Sequence, residues 1–266
     1  MQIVTSIHGR AAGLSADNTA GQQLVVPGGF ISGSHGSQIA LPSPSTVAMT
    51  DDFIGDVIAD QWNIVEGTDS ATSDAAILAG GIGGVLRFTT GDAGTGLAAD
   101  MVQMTQALQW QASNGNLCIQ GRFKLSAITT CYAFFGFTDV VTLEAPIESA
   151  ASADTLTSNA TNAVGVMFDT RMTTDNWWLV GVAGDTDATA QDSDYAPVAD
   201  TYETWRIELT AAGVATFYRN GIQVGTSMSA AVTAGADLTP TFAVSKTSVA
   251  ASMTADLDLI HVSMAR

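Results

Sequence analysis

Positive charge is scarce in this chain of 266 residues. Lysine and arginine together number 9, against 26 aspartates and glutamates, so the formal net charge is −17. Lys124 and Lys246 are the only lysines. Binding to a phosphate backbone depends on cationic side chains that displace condensed counterions. The sequence therefore predicts a well-solvated acidic surface and no direct binding to nucleic acid.

Long apolar runs are also missing. No window reaches the roughly 18 unbroken apolar residues that a membrane-spanning helix needs. Residues 1–10 lack the apolar stretch of a secretory leader. We therefore expect no membrane partner, and synthesis in the cytoplasm without a signal peptide.

Cysteine is limited to Cys118 and Cys131. A hairpin that turns near residues 126–127 would place Cys118 opposite about residue 135, which would keep the two thiols apart. With no C-x-x-C motif and no histidine nearby, this pair provides no four-ligand set for zinc. We predict two buried free thiols and no cofactor.

What the chain does contain is alternation of apolar and polar residues. Between residues 204 and 226, Trp205, Ile207 and Leu209 fall on one face of a strand, because successive side chains point to opposite sides. A second strand follows, and Asn220-Gly221 then provides the positive φ angles of a type I′ hairpin turn. This segment is typical of antiparallel β-structure.

Similar strand patterns recur along the chain, and no long helix competes with them. About eleven strands predict an all-β, two-sheet antiparallel jelly-roll sandwich with an extended N-terminal arm. The expected strands are Val85 to Thr89, Leu97 to Met104, Leu117 to Leu125, Cys131 to Phe137, Ala163 to Phe168, Trp177 to Val182, Tyr202 to Leu209, Val214 to Arg219, Ile222 to Gly225, Pro240 to Ser245 and Leu257 to Ser263.

The first 46 residues differ from the rest in composition. Leu41 to Thr46 reads LPSPST, which interrupts regular structure and is typical of a linker. We therefore assign residues 1–46 to an arm and residues 47–266 to the sandwich domain. The arm either adds a strand to its own domain or docks on a neighbouring subunit. Its candidate contact residues are Ile3, Val4, Ile7, Leu24, Val25, Val26, Phe30 and Ile31.

Residues 51–266 resemble the concanavalin A-like, laminin-G-like jelly rolls found in virion proteins of tailed phages. The segments that carry the resemblance are Asp51 to Phe53 with Trp62, Gly80 to Val85, Phe134 to Asp139, Val164 to Phe168, Trp205 to Ile207, Phe217 to Gly221 and Ala255 to Ile260.

The resemblance implies a structural protein of a phage particle, most often a capsid decoration or cement protein. It implies attachment to the major capsid protein through the arm, assembly as a homodimer or homotrimer, and a position on the outer capsid surface. The alternative is a lectin-like carbohydrate-binding module of a tail or fibre, with a host-surface glycan as ligand.

Glycoside hydrolases of this fold carry an E-x-D-x-E run, which is absent from the sequence. Asp256 and Asp258 share a strand face but have no third carboxylate beside them. His8, His35 and His261 are too scattered for a catalytic triad. The sequence therefore predicts that the protein is not an enzyme.

Two other features leave alternatives open. Asp185 to Asp187 and Asp192 to Asp194 are oxygen-rich loops that could hold calcium, although no EF-hand motif is present. Trp177-Trp178 should send one indole into the core and one outward, where it could stack on a sugar or a partner protein.

Overall fold

Almost all regular structure in the protein is β-strand. Helix in the described part of the chain is confined to α1 (Leu97–Asp100) and a 3-10 turn at Ala112–Asn114. No helix there is long and apolar enough to cross a membrane. The computed structural model describes residues 30–32, 38–40, 45–68, 73–80, 83–92, 96–150, 155–248 and 251–266.

The strands build two large sheets. In chain order they are β1 (Phe30–Ser32), β2 (Gln38–Ala40), β3 (Thr46–Asp51), β4 (Asn63–Glu66), β5 (Asp74–Ile77), β6 (Leu86–Thr89), β7 (Val102–Thr105), β8 (Leu117–Leu125), β9 (Cys131–Thr138), β10 (Ile147–Ser149), β11 (Leu156–Ser158), β12 (Asn162–Asp169), β13 (Trp178–Ala183), β14 (Gln191–Asp192), β15 (Glu203–Leu209), β16 (Ala215–Arg219), β17 (Ile222–Met228), β18 (Thr239–Lys246) and β19 (Thr254–Ala265).

The first sheet has the spatial order β14-β13-β12-β9-β18-β7-β4, and the second has the order β17-β16-β15-β8-β19-β6-β5, with β3 also paired to β19. Strands β1 and β2 form one small sheet, and β10 and β11 form another. The neighbours along both large sheets run antiparallel. The predicted all-β, two-sheet antiparallel sandwich is confirmed.

Local sequence patterns predicted the positions of several elements correctly. Strand β8 spans the predicted residues, and the β16–β17 turn has positive φ at Asn220 (51°) and Gly221 (84°). The expected strand from Leu97 was wrong in its first half, which is α1, because leucine and alanine favour helix there. The short strands β4, β5 and β14 were missed because four residues or fewer show no clear alternation.

The predicted hairpin between β8 and β9 does not form. Strand β8 lies in the second sheet between β15 and β19, whereas β9 lies in the first sheet between β12 and β18. The chain crosses from one sheet to the other between them. Cys118 and Cys131 are nevertheless free, but only Cys131 is buried as predicted, whereas Cys118 is partly exposed because it points outward from β8. Burial raises their pKa to about 11 and about 12. Both thiols are therefore protonated at neutral pH.

Aromatic rings fill the space between the two sheets. Phe123 of β8 lies at the centre of this core. Its ring centroid lies 5.2 Å from that of Phe135, 5.0 Å from that of Phe242 and 5.7 Å from that of Trp177. Edge-to-face and tilted contacts of this kind add to the free energy of burial.

The first sheet is also covered on its outer face. Every residue of β9, β12 and β18 is buried. Side chains of a strand alternate between its two faces, so the core between the sheets accounts for only half of these residues. Residues 140–149 and 155–160 lie over that outer face, and we call them the covering segment. A second apolar cluster forms between the covering segment and the sheet. Its members include Val140, Ala145, Ile147, Ala160, Tyr132, Phe134, Met167, Trp178, Val180 and Val182.

Residues Met49–Ala265 form one compact unit. The division of the chain at residues 46 and 47 stays a prediction, as do the contact residues of the arm. Phe30 and Ile31 fall in β1, for which only the backbone is described. The other arm residues lie outside the described part of the chain, namely Ile3, Val4, Ile7, Leu24, Val25 and Val26.

Candidate functional site

The second sheet leaves one face open to solvent. Strands β8 and β15 alternate strictly between buried and partly exposed residues, so their polar side chains point away from the core. Two cross-strand rows cover the middle of this face. We call these rows the polar face. Its residues are Tyr218, Arg206, Gln120 and His261 in one row, and Thr216, Glu208, Cys118 and Ser263 in the other.

The second row lines a shallow groove of about 450 Å³. Hydroxyl groups of Thr210, Thr216 and Ser263 line this groove together with the Glu208 carboxylate. Thr210 Oγ1 accepts hydrogen bonds from the Ala212 and Val214 amides, and Thr216 Oγ1 lies 3.1 Å from Ser227 Oγ. A hydroxyl can both donate and accept, so these groups keep further hydrogen-bonding capacity. The remaining lining residues are Asn116, Leu117, Cys118 and Leu209.

A flat stack borders the groove. The Arg206 guanidinium carbon lies 4.1 Å from the centroid of the Tyr218 ring, and Arg206 Nη1 lies 3.1 Å from Glu208 Oε1. The carboxylate thus orients the guanidinium over the phenol. Desolvation and the Glu208 charge raise the pKa of Tyr218, so its hydroxyl remains a donor at neutral pH. The stack and the carboxylate form one ordered polar unit.

His261 ends the first row as a neutral imidazole. Its Nδ1 lies 2.7 Å from Thr50 Oγ1 of β3, and burial lowers its pKa. Of the three histidines considered from sequence, His8 and His35 lie outside the described residues. Among the described residues, His261 is the histidine at the polar face.

The two carboxylates weighed as a catalytic pair are held in ion pairs. Asp256 Oδ1 and Oδ2 accept hydrogen bonds from Arg87 at 2.7 and 2.8 Å, and Lys124 Nζ lies 3.4 Å from Oδ2. Asp258 pairs with Arg122. Burial alone would raise the pKa of Asp256, but Arg87 and Lys124 outweigh it and lower that pKa. A general acid requires the opposite shift, so Asp256 does not suit that role.

Carboxylates of the oxygen-rich loops accept hydrogen bonds from other groups of the protein. Asp192 accepts hydrogen bonds from the Asp194 backbone, Thr174 Oγ1 and Asn176 Nδ2 at 2.8 to 3.2 Å. These bonds outweigh desolvation and lower the pKa of Asp192. In the described ranges no group of three or more histidine, cysteine or acidic side chains is arranged to hold a metal ion. Calcium binding stays a prediction.

The tryptophan pair alternates as predicted, yet both indoles are buried. Trp177 lies in the core between the sheets, with its ring centroid 5.8 Å from that of Trp205. Trp178 points to the outer face of the first sheet, where the covering segment leaves it only 8% exposed. It is therefore not a surface platform in this structure. The alternation was readable from sequence, whereas the cover was not.

The comparison with known families finds no match for this sequence, and neither does the comparison with curated proteins. Solved structures show the same sandwich. A protein of unknown function from Shewanella oneidensis MR-1 is 16% identical, with a TM-score of 0.52 over 83% of this chain and 87% of that one. A β-glucanase of Bacillus licheniformis is 10% identical, with a TM-score of 0.55 over 81% of this chain and 97% of that one.

The catalytic domain of an endo-1,3-β-glucanase from Thermotoga petrophila RKU-1 is also similar, at 12% identity and a TM-score of 0.52 over 82% of this chain and 97% of that one. At such identities the likeness shows the fold alone, and the fold is a concanavalin-like jelly roll. The prediction that the chain is not an enzyme is corrected by these neighbours, because the same sandwich carries hydrolases of glycosidic bonds. The missing E-x-D-x-E run was too narrow a criterion, because one fold can host many different chemistries.

Proposed function

We propose that the protein recognises carbohydrate through the polar face of the second sheet. The observation that carries this proposal is the Glu208 carboxylate, which lines the groove beside a row of hydroxyl groups and also pairs with Arg206 of the Arg206–Tyr218 stack. Sugars offer hydroxyl groups that donate and accept hydrogen bonds, and C–H faces that pack on flat groups. The glucanases that share the fold act on such polymers, which supports this ligand class.

The groove already orders the groups that a sugar would meet. Arg206 is held between Tyr218 and Glu208, so binding does not have to immobilise a free side chain. The charges of Arg206 and Glu208 balance each other. A neutral glycan fits this balance better than an acidic one, which the net charge of −17 would also repel.

Titration with oligosaccharides of β-1,3-1,4-glucan and of β-1,3-glucan tests the proposal by calorimetry. Tyr218→Ala should weaken binding about tenfold, because the sugar loses its stacked platform. Tyr195→Ala is the matched control. Tyr195 also stacks with an arginine, with Arg219 Cζ 4.7 Å from its ring centroid, but it is not part of the polar face.

Release of reducing ends should be measured on the same polymers, because hydrolysis would show an enzyme and binding alone a recognition module. Equal affinities of Tyr218→Ala and the unaltered protein would contradict recognition at the polar face. So would a complete absence of binding to both glycans.

We propose further that the protein belongs to the particle of a tailed phage, as a capsid decoration protein on the outer surface. In this proposal residues 1–46 attach it to the major capsid protein, the chain assembles as a dimer or trimer, and the polar face meets a host-surface glycan. The compactness of Met49–Ala265 supports this arrangement, since the sandwich has a core of its own.

Deleting residues 1–46 should abolish sedimentation of the protein with purified capsids, while the melting temperature of the sandwich changes little. Tyr218→Ala should sediment with capsids like the unaltered protein, because its substitution lies on the sandwich. A truncated protein that still attached to capsids would contradict the role of the arm.

A further inference from the structure

The open face of the second sheet carries a second stack of arginine on tyrosine. The Arg122 guanidinium carbon lies 4.1 Å from the centroid of the Tyr202 ring, the same distance as in the Arg206–Tyr218 stack. Arg122 also pairs with the Asp258 carboxylate. The combination of tyrosine, arginine and carboxylate therefore occurs twice. We call Tyr218, Arg206 and Glu208 the first unit, and Tyr202, Arg122 and Asp258 the second unit.

Both units lie on one face because of the register of β8 and β15. Thr204 of β15 is paired with Arg122 of β8. Tyr202 directly precedes β15, and alternation places it on the same side as Thr204 and Arg206. Tyr202 lies four residues before Arg206, which corresponds to about 13 Å along the strand. Since Tyr218 is paired with Arg206, the positions of the two tyrosines are further apart than the length of one sugar ring.

Both guanidinium groups are held in place and still face solvent. The side chain of Arg122 is 43% exposed and that of Arg206 is 35% exposed. Lys124 also contacts the Tyr202 ring, with Nζ 5.2 Å from the ring centroid. Desolvation and neighbouring aspartates raise the pKa of Tyr202, so its hydroxyl stays protonated at neutral pH. Each arginine is balanced by its own carboxylate, and neither unit carries a net charge. Such flat, neutral groups suit the C–H face of an uncharged sugar ring.

We propose that the two units are subsites of one extended site, and that its ligand is a linear neutral polysaccharide long enough to cover both. This inference rests on the proposed recognition of carbohydrate at the polar face. The glycan lies obliquely across β15 and β8, with a sugar ring against each guanidinium. Gln120 and Thr204 occupy the positions beside the two arginines and offer an amide and a hydroxyl to the sugars. A chain already held at the first unit reaches the second without a further loss of translational freedom, so affinity rises with length.

Calorimetric titration of the full-length protein with a disaccharide and a hexasaccharide of β-1,3-1,4-glucan tests this inference. The hexasaccharide should bind at least about tenfold more tightly, because the longer ligand alone reaches both units. Tyr202→Ala should weaken hexasaccharide binding about tenfold, since the second guanidinium loses its support. Arg122→Met should have the same effect. Its ion pair is exposed to solvent, so this second variant should fold like the unaltered protein.

Tyr195→Ala is the matched control for this test. It also removes a tyrosine that stacks with an arginine, but Tyr195 lies outside both units. This variant should keep the preference for the hexasaccharide. Melting temperatures of all variants, measured in the same buffer, show whether each is folded.

Failure of this inference can be distinguished from failure of the proposed function. Equal affinities for the two ligands would overturn the extended site, as would undiminished hexasaccharide binding by both Tyr202→Ala and Arg122→Met. In either case Tyr218→Ala would still weaken binding, and recognition at the first unit would stand. An equal loss in Tyr195→Ala would also contradict the assignment of the second unit. Absence of binding to both ligands would overturn the proposed function together with this inference.

Discussion

A Gly136→Ala variant is expected to lose about 3 kcal/mol or more of its free energy of unfolding. Gly136 on β9 is paired directly with Gly165 on β12 in the first sheet. A Cβ at Gly136 would lie 2.1 Å from the carbonyl oxygen of Val164 and 2.6 Å from the Cα of Gly165. These are backbone atoms of the neighbouring strand. The two central strands would have to separate, which disturbs both cores at once.

Urea denaturation followed by far-UV circular dichroism measures this loss. Gly235→Ala is the control, because its added Cβ would meet nothing within 4 Å and its φ is not positive. This control should remain within about 0.5 kcal/mol of the unaltered protein. Equal stabilities of the two variants would show that β9 and β12 are not packed as closely as described.

An Arg171→Met variant is expected to lose about 3 kcal/mol of unfolding free energy. Arg171 binds the fully buried Asp169 through Nε–Oδ1 at 3.0 Å and Nη2–Oδ2 at 2.7 Å, and it reaches Glu148 of the covering segment at 2.8 Å. Without the guanidinium, the donors that remain to the buried carboxylate among the described residues are the backbone amides of Ser149 and Arg171 itself. An uncompensated buried charge accounts for most of the loss.

Chemical denaturation should separate this effect from that of a surface pair. Arg122→Met is the comparison, because the Arg122 side chain is 43% exposed and its ion pair with Asp258 is screened by solvent. Its loss should be below about 1 kcal/mol. Adding Asp169→Asn to Arg171→Met should restore part of the stability, since it removes the stranded charge. A double variant as unstable as the sum of both singles would contradict this explanation.

Arg171 also anchors the covering segment, because its guanidinium pairs with Glu148 of that segment at 2.8 Å. Ile147 and Ala160 of the segment pack on the outer face of the first sheet. Loss of Arg171 should therefore loosen this cover in addition to leaving the Asp169 carboxylate uncompensated.

Residue type and spacing by themselves determined the strands with long alternation and their turns. Leu117–Leu125 and the Asn220-Gly221 turn follow from contacts within a few residues, which is why sequence alone was enough. The overall class of two antiparallel sheets follows from the same local signals. The scarcity of Lys and Arg is also visible in the sequence alone, and it argues against direct binding to nucleic acid.

Only the tertiary structure decided which strands are neighbours and which side chains meet. By sequence, β9 would be the hairpin partner of β8, but the two strands lie in different sheets. The sequence does not reveal this, because strand pairing depends on contacts with residues outside either segment. The polar face joins Tyr218 to His261 across four strands. An alternating pattern shows that a side chain points outward. Whether solvent or another part of the chain lies there depends on contacts between residues far apart in sequence.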